Sequence, residues 1–336
     1  MTKQEATQEM ERLIDAFPGN MVEAIKIGQT AIENFSAKPV KNVLVSGLGG
    51  SGIGGKFASQ LVWDKCSVPV NVVNDYRIPA WVNEETLFIA CSYSGNTEET
   101  LSTLEEAMSK GASISCVTSG GKLEALAKEH GFNMIKIPAG QPPRTSFGYN
   151  ALQQLFIYSA YGLIDDSFVA DLSAAAELLV SEKEAIHREA KEIANTIIGR
   201  IPVVYSETYW EAVAVRFRQQ INENAKTLCW HHALPEMNHN ELVSWAGGSK
   251  DYAVLMIRTP EDHPGTAKRM DLSKEIIERY TDIIIELKPK GSTRVEMFYY
   301  LTHLVDWISY YMAVEKDVDP IEIDVIDYFK AQLAKG

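Results

Sequence analysis

The sequence predicts an α/β protein made of two doubly wound parallel sheets. Short apolar runs alternate with single amphipathic stretches over residues 43–137, and the same rhythm resumes after residue 200. Strands apolar on both faces and separated by single helices fit a parallel ladder covered on each side. The length of 336 residues, 46% of them hydrophobic, suits two cores better than one.

Residues 1–36 read as two helices interrupted at Pro18-Gly19. Apolar runs at 43–46, 68–73, 87–91, 114–117 and 134–137 have strand length and composition, and amphipathic stretches at 52–63, 98–110 and 122–130 fill the intervals. Right-handed crossovers place the loops that follow these strands along one edge, where such sheets bind ligands. The run Gln141-Pro142-Pro143 breaks the pattern. A helix over 149–163 follows, and Asp165-Asp166 opens a long helical segment reaching 198. The second region has a strand at 201–205, a helix at 209–226, strands near 253–257 and 282–287, and helices at 293–314 and 321–334. The expected domains are 1–155 and 156–336, and only the first carries glycine and hydroxyl motifs.

A formal net charge of −13 argues against nucleic acid or an anionic membrane as partner. No apolar run approaches the ~18 residues of a membrane span, and the polar start MTKQEATQEM does not resemble a signal peptide. Cys66, Cys91, Cys116 and Cys229 form no C-x-x-C pair and read as structural thiols of a reducing compartment. A cytoplasmic location is expected.

The strand at 43–46 runs into Gly47-Leu48-Gly49-Gly50-Ser51-Gly52, which opens a helix. Glycines there let backbone N–H groups approach an anion at a helix N-terminus. Gly47, Gly49 and Gly52 also satisfy G-x-G-x-x-G, with Asp75 placed as a ribose-binding acid would be, so a dinucleotide site competes. The third strand favours the smaller ligand. It ends in Ser92-Tyr93-Ser94-Gly95-Asn96-Thr97, again before a helix, and Ser92, Ser94 and Thr97 add three hydroxyls. Two hydroxyl-rich turns without lysine suit a phosphate monoester held by neutral donors and helix dipoles. The plainer reading of Thr97 is a helix cap.

GLGGSG followed by SYSGNTEET resembles the sugar isomerase (SIS) domain. With Pro142-Pro143-Arg144, NENAK at 222–226, PEMNHNE at 235–241 and a C-terminal helix bearing Lys330, the whole chain resembles the bifunctional phosphoglucose/phosphomannose isomerases. The resemblance implies two SIS-type domains, a homodimer, and interconversion of glucose 6-phosphate or mannose 6-phosphate with fructose 6-phosphate through an enediolate. It implies that Gly49, Gly50, Ser51, Ser92, Ser94 and Thr97 bind the phosphate and that Arg144 lies at the reacting carbons. Glu223 would be the base, on a helix turning its polar face with Arg216, Gln219 and Gln220 to an interdomain cleft. His239, reaching the neighbouring subunit's site, and Lys330 would assist ring opening. Thr145 and Ser146 stand where the family usually has small alanine-type residues.

No cofactor is implied, and no metal: His231, His232 and His239 lack a ligand-spaced carboxylate or cysteine cluster. A non-catalytic phosphosugar sensor and an NAD-dependent dehydrogenase are the rival readings.

Overall fold

The computed structural model describes residues 1–333 and 335. The first half of the chain forms α1 (Lys3–Asp15), α2 (Phe17–Ile32), β1 (Asn42–Ser46), α3 (Gly49–Leu61), β2 (Val70–Val73), β3 (Thr86–Ser92), α4 (Glu98–Ser109), β4 (Ser113–Thr118), α5 (Gly121–His130), β5 (Asn133–Lys136) and α6 (Phe147–Ala160). It continues through α7 (Ser167–Ser181), α8 (Lys183–Ile197), β6 (Ile201–Glu207), α9 (Glu211–Ala225), β7 (Trp230–Leu234), β8 (Tyr252–Ile257), α10 (Pro264–Ile277), β9 (Ile284–Leu287), α11 (Arg294–Glu315) and α12 (Asp324–Leu333).

Two compact units result. The first comprises Ala16–Val180 with Gly291–Tyr299, and the second comprises Met1–Asp15, Ser181–Lys290 and Tyr300–Gly336. The expected division at 155/156 falls inside α6.

The first unit holds a five-stranded sheet of order β2-β1-β3-β4-β5, with every pairing parallel. All seven residues of β3 are buried, as a central strand covered on both faces requires. One face packs Leu44, Phe88, Ala90 and Cys116 against Leu104 and Ala107 of α4 and Leu123 and Ala127 of α5. Elsewhere in this unit Phe57 of α3 meets Phe147 of α6 edge-on, with ring centroids 4.7 Å apart. The second unit repeats the architecture with four parallel strands ordered β7-β6-β8-β9. Its core includes Val203, Tyr205, Val254, Met256, Met270 and Ile277. The strand order reverses between β1 and β3 in one sheet and between β6 and β8 in the other, and ligands bind at such switch points.

Three local expectations need correction. The N-terminal helices part at Ala16, not at Pro18-Gly19: both residues lie in the first turn of α2, where proline costs no hydrogen bond. The segment 165–198 is two helices, α7 and α8, separated at Glu182. Finally, β7 is a strand that the apolar runs do not announce, because Trp230, His231 and His232 on this edge are only partly covered.

Buried thiols are the rule for Cys91, Cys116 and Cys229, and all four cysteines are free. Burial pushes the Cys116 and Cys229 thiols up to about 12, so neither is a ready nucleophile. Among the described residues, no helix is long and apolar enough to cross a membrane.

Candidate active site

The predicted phosphate turns both lie at the β1/β3 switch point of the first unit. After Ser46 the chain turns through Gly47 and Leu48 into α3. Gly49 has φ 52°, a left-handed conformation that suits glycine. Gly47 packs so closely on β3 that an added Cβ would lie 2.9 Å from the Cys91 carbonyl oxygen. Four residues after Gly47, Ser51 is buried. Its Oγ accepts the Tyr93 N–H at 3.2 Å and the Asn150 Nδ2–H at 3.1 Å. With both lone pairs engaged, the hydroxyl hydrogen is left to donate, which suits an anionic acceptor.

In the second turn Ser92 is fully buried and shares a hydrogen bond with the Thr97 hydroxyl, Oγ to Oγ1 2.8 Å. Ser92 therefore shapes the turn from beneath, while Ser94 is exposed and Thr97 half-buried. Thr97 is the N-cap of α4 but makes no side-chain cap hydrogen bond, so the ordinary capping role does not account for it. The N-cap of α3, Leu48, has none either. Gly95, at φ 68°, leaves no space for a side chain beside the Gly120 carbonyl, which keeps the turn tight.

Tyr93 joins these pieces. Its N–H reaches Ser51, its carbonyl accepts the Ser119 N–H at 3.1 Å, and its phenol oxygen accepts the Gln141 N–H at 3.0 Å. Sequence reasoning missed Tyr93 and Asn150 as site residues. For Tyr93 the signal was its place between the two motif serines, and for Asn150 there was none.

Arg144 belongs to the same cluster. It sits in a short 3₁₀ turn over Pro143–Ser146, is 4% exposed, and follows a loop pressed against the start of α3. A Cβ on Gly50 would lie 2.9 Å from the Pro143 carbonyl oxygen, so only glycine allows this approach. Thr145 and Ser146, also buried, turn their hydroxyls back on the Pro142 carbonyl, at 2.9 and 3.5 Å. That internal use accounts for polar groups at these covered positions. Asp75, the candidate ribose acid, is exposed and accepts the N–H of its neighbour Tyr76 at 2.5 Å.

The remaining predicted residues lie in the second unit. Glu223 is half-buried in the last turn of α9. Two of its three expected companions are buried and do not lie on an open polar face. Arg216 and Gln220 are each 2% exposed and face α11, where both bond the Asp306 carboxylate, at 2.5 and 3.0 Å. Asn224 continues the stripe with a 2.9 Å bond to Ser309. Burial pushes the Asp306 carboxyl up, and the Arg216 guanidinium opposes that shift. His239 is exposed at the end of a 3₁₀ turn over Glu236–His239, and its side chain makes no hydrogen bond among the described residues. The segment after it is anchored by Glu241, whose carboxylate accepts from Trp230 Nε1 at 3.3 Å and pairs with His232 Nδ1 at 2.7 Å. Lys330 lies exposed on α12. Among the described residues, no three His, Cys, Asp or Glu side chains are grouped to hold a metal.

Two parallel α/β units with this strand order, one bearing hydroxyl-lined turns at its switch point, define a protein built from paired sugar-isomerase domains. Consistent with that class, the family profile "SIS domain" matches residues 38–163, and "Bacterial phospho-glucose isomerase C-terminal SIS domain" matches residues 186–333. The C-terminal domain of glucosamine-fructose-6-phosphate aminotransferase from Francisella tularensis superposes with a TM-score of 0.74, covering 93% of this chain and 98% of that one. At 16% identity that likeness is one of fold alone. Sequence relatives are more informative. The bifunctional phosphoglucose/phosphomannose isomerase of Caldicellulosiruptor bescii is 35% identical over 328 residues, 95% of this chain and 97% of the relative. That of Aquifex aeolicus is 38% identical over 300 residues, 88% and 92% of the two chains. The chain belongs to the bifunctional phosphoglucose/phosphomannose isomerase family.

Proposed function

We propose that this protein interconverts glucose 6-phosphate and mannose 6-phosphate with fructose 6-phosphate by proton transfer through an enediolate. The observation that carries the reading is the Ser51–Tyr93 hydrogen bond, which ties two hydroxyl-bearing helix starts together at one switch point. In this reading Gly49, Gly50, Ser51, Ser94 and Thr97 hold the phosphate, with Ser92 bracing Thr97. The loop contact at Gly50 favours placing Arg144 beside the same ligand, where its fixed charge stabilises the enediolate. Glu223 takes a proton from one sugar carbon and returns it to the next, both steps falling to a single carboxylate. Lys330 and His239 move protons to and from the ring oxygen during opening.

The unengaged, exposed His239 suits a role in a second copy's site, so we read the protein as a cytoplasmic homodimer in which His239 of the partner subunit completes each centre. A coupled assay of the purified protein with each aldose phosphate, in the presence of chelator, tests the activity. Turnover of glucose 6-phosphate supports it, and silence with both sugars overturns it. Mixing inactive Glu223→Gln and His239→Ala proteins tests the sharing: redistribution of subunits should restore about a quarter of the sites. No regain after subunit exchange would place His239 in its own subunit's site.

A further inference from the structure

Lys226 closes the NENAK segment, and neither phosphate binding nor proton transfer gives it a task. It is the C-cap of α9, with φ 49° and ψ 44°. Helices commonly end in that left-handed conformation on glycine or asparagine, and a lysine there directs attention to its side chain. Its Nζ donates to the Glu223 carbonyl at 2.6 Å, in the turn that carries the proposed base. The same ammonium donates to the Glu322 carbonyl at 2.8 Å, just ahead of α12. A second lysine closes the junction from the other side. Lys316, following α11, donates to the Lys226 carbonyl at 3.1 Å and the Thr227 hydroxyl at 2.6 Å. Asp319 orders the intervening loop from within by accepting the N–H groups of Ile321 and Glu322. None of the residues of α12 that the structure describes is buried, so packing does little to fix where that helix begins.

We propose that Lys226 is a positioning residue, whose ammonium clamps the Glu223 turn of α9 to the start of α12 and so sets the placement of Lys330 relative to the base. The proposal rests on the roles given above to Glu223 and Lys330. All the groups named belong to the second unit.

Lys226→Gly and Lys226→Asn both suit a positive φ and remove the ammonium. In each, amide hydrogen exchange over residues 322–333 should quicken by about tenfold, because the local opening free energy falls. kcat should drop at least ~10-fold while KM for glucose 6-phosphate stays within about twofold, since the phosphate turns lie in the other unit. Wild-type exchange over 322–333 in both variants, or an unchanged kcat, overturns the proposal. So does global unfolding of both, which would make the lysine a plain stability element. Exchange is read without substrate, so the clamp is tested even if wild-type protein fails to turn over either sugar, a result that would instead remove the proposed activity.

Discussion

In the first sheet, the strand ends on either side of the order reversal lead into helices α3 and α4, neither of which has a side-chain N-cap. In the second sheet the corresponding ends are Glu207, closing β6, and the loop from β8 to α10. There Glu207 is 6% exposed, and its two carboxylate oxygens accept the His263 N–H at 3.1 and 3.2 Å. His263 is the N-cap of α10, and its Nδ1 accepts the Gly265 N–H at 3.0 Å. The chain thus fills its second switch point with its own acid and imidazole, and leaves the first lined with hydroxyls. A repeated scaffold supplies two equivalent places for negative charge, and the proposed function assigns the ligand to the one that the chain does not fill itself.

The strongest test of this division of labour is Glu223→Gln, which should cut kcat by about 10³-fold, the usual worth of a general base. Calorimetric titration should still show sugar-phosphate binding at the first unit. Loss of binding along with turnover would break the assignment. Next comes Gly50→Val, whose side chain must displace the Pro143 carbonyl and with it the Arg144 turn. Misplacement on this scale costs ~10²-fold, and here kcat and KM should both suffer. Ser51→Ala removes one donor to a charged group and should weaken sugar-phosphate affinity by about 10- to 100-fold, with less effect on kcat.

The smallest effect concerns the filled switch point. Burial is the main cause that raises the Glu207 carboxyl above its ordinary range, with the His263 N–H opposing it. A carboxyl raised in the fold holds its proton more tightly folded than unfolded. Its contribution is therefore complete below the unfolded value near 4.5 and is lost as pH rises through the raised value. Glu207→Gln should gain on wild type as pH climbs through that window, by about 2 °C in Tm, with kinetics unchanged. A Tm difference that stays flat with pH would show that Glu207 is not strained by its burial.

Much of the architecture was legible because parallel strands are apolar on both faces, and the runs ending at Ser46 and Cys91 announce themselves. Edge strand β7 escaped because Trp230, His231 and His232 are not a buried apolar run. The two turns at the first switch point were readable because their pattern is local: glycines and hydroxyls within a few residues of a helix start. The error at Arg216 and Gln220 has the opposite cause. Polar residues opposite a helix's apolar stripe read as an open, cleft-facing set, yet their partner Asp306 lies 90 residues further along for Arg216 and 86 for Gln220. Asn150 was invisible for the same reason, being 99 residues from the serine it supports.

The close approach at Gly50 also bears on how such a protein can change over generations. A lineage that gained a side chain at position 50 would have to rebuild residues 142–146 in the same step, so the glycine-rich and guanidinium-bearing segments are inherited as one block. Within that block Thr145 and Ser146 are the freer positions, since among the described residues their hydroxyls bond the Pro142 carbonyl of their own turn. Exchange of side chains should therefore begin there, with the Gly50 contact left untouched.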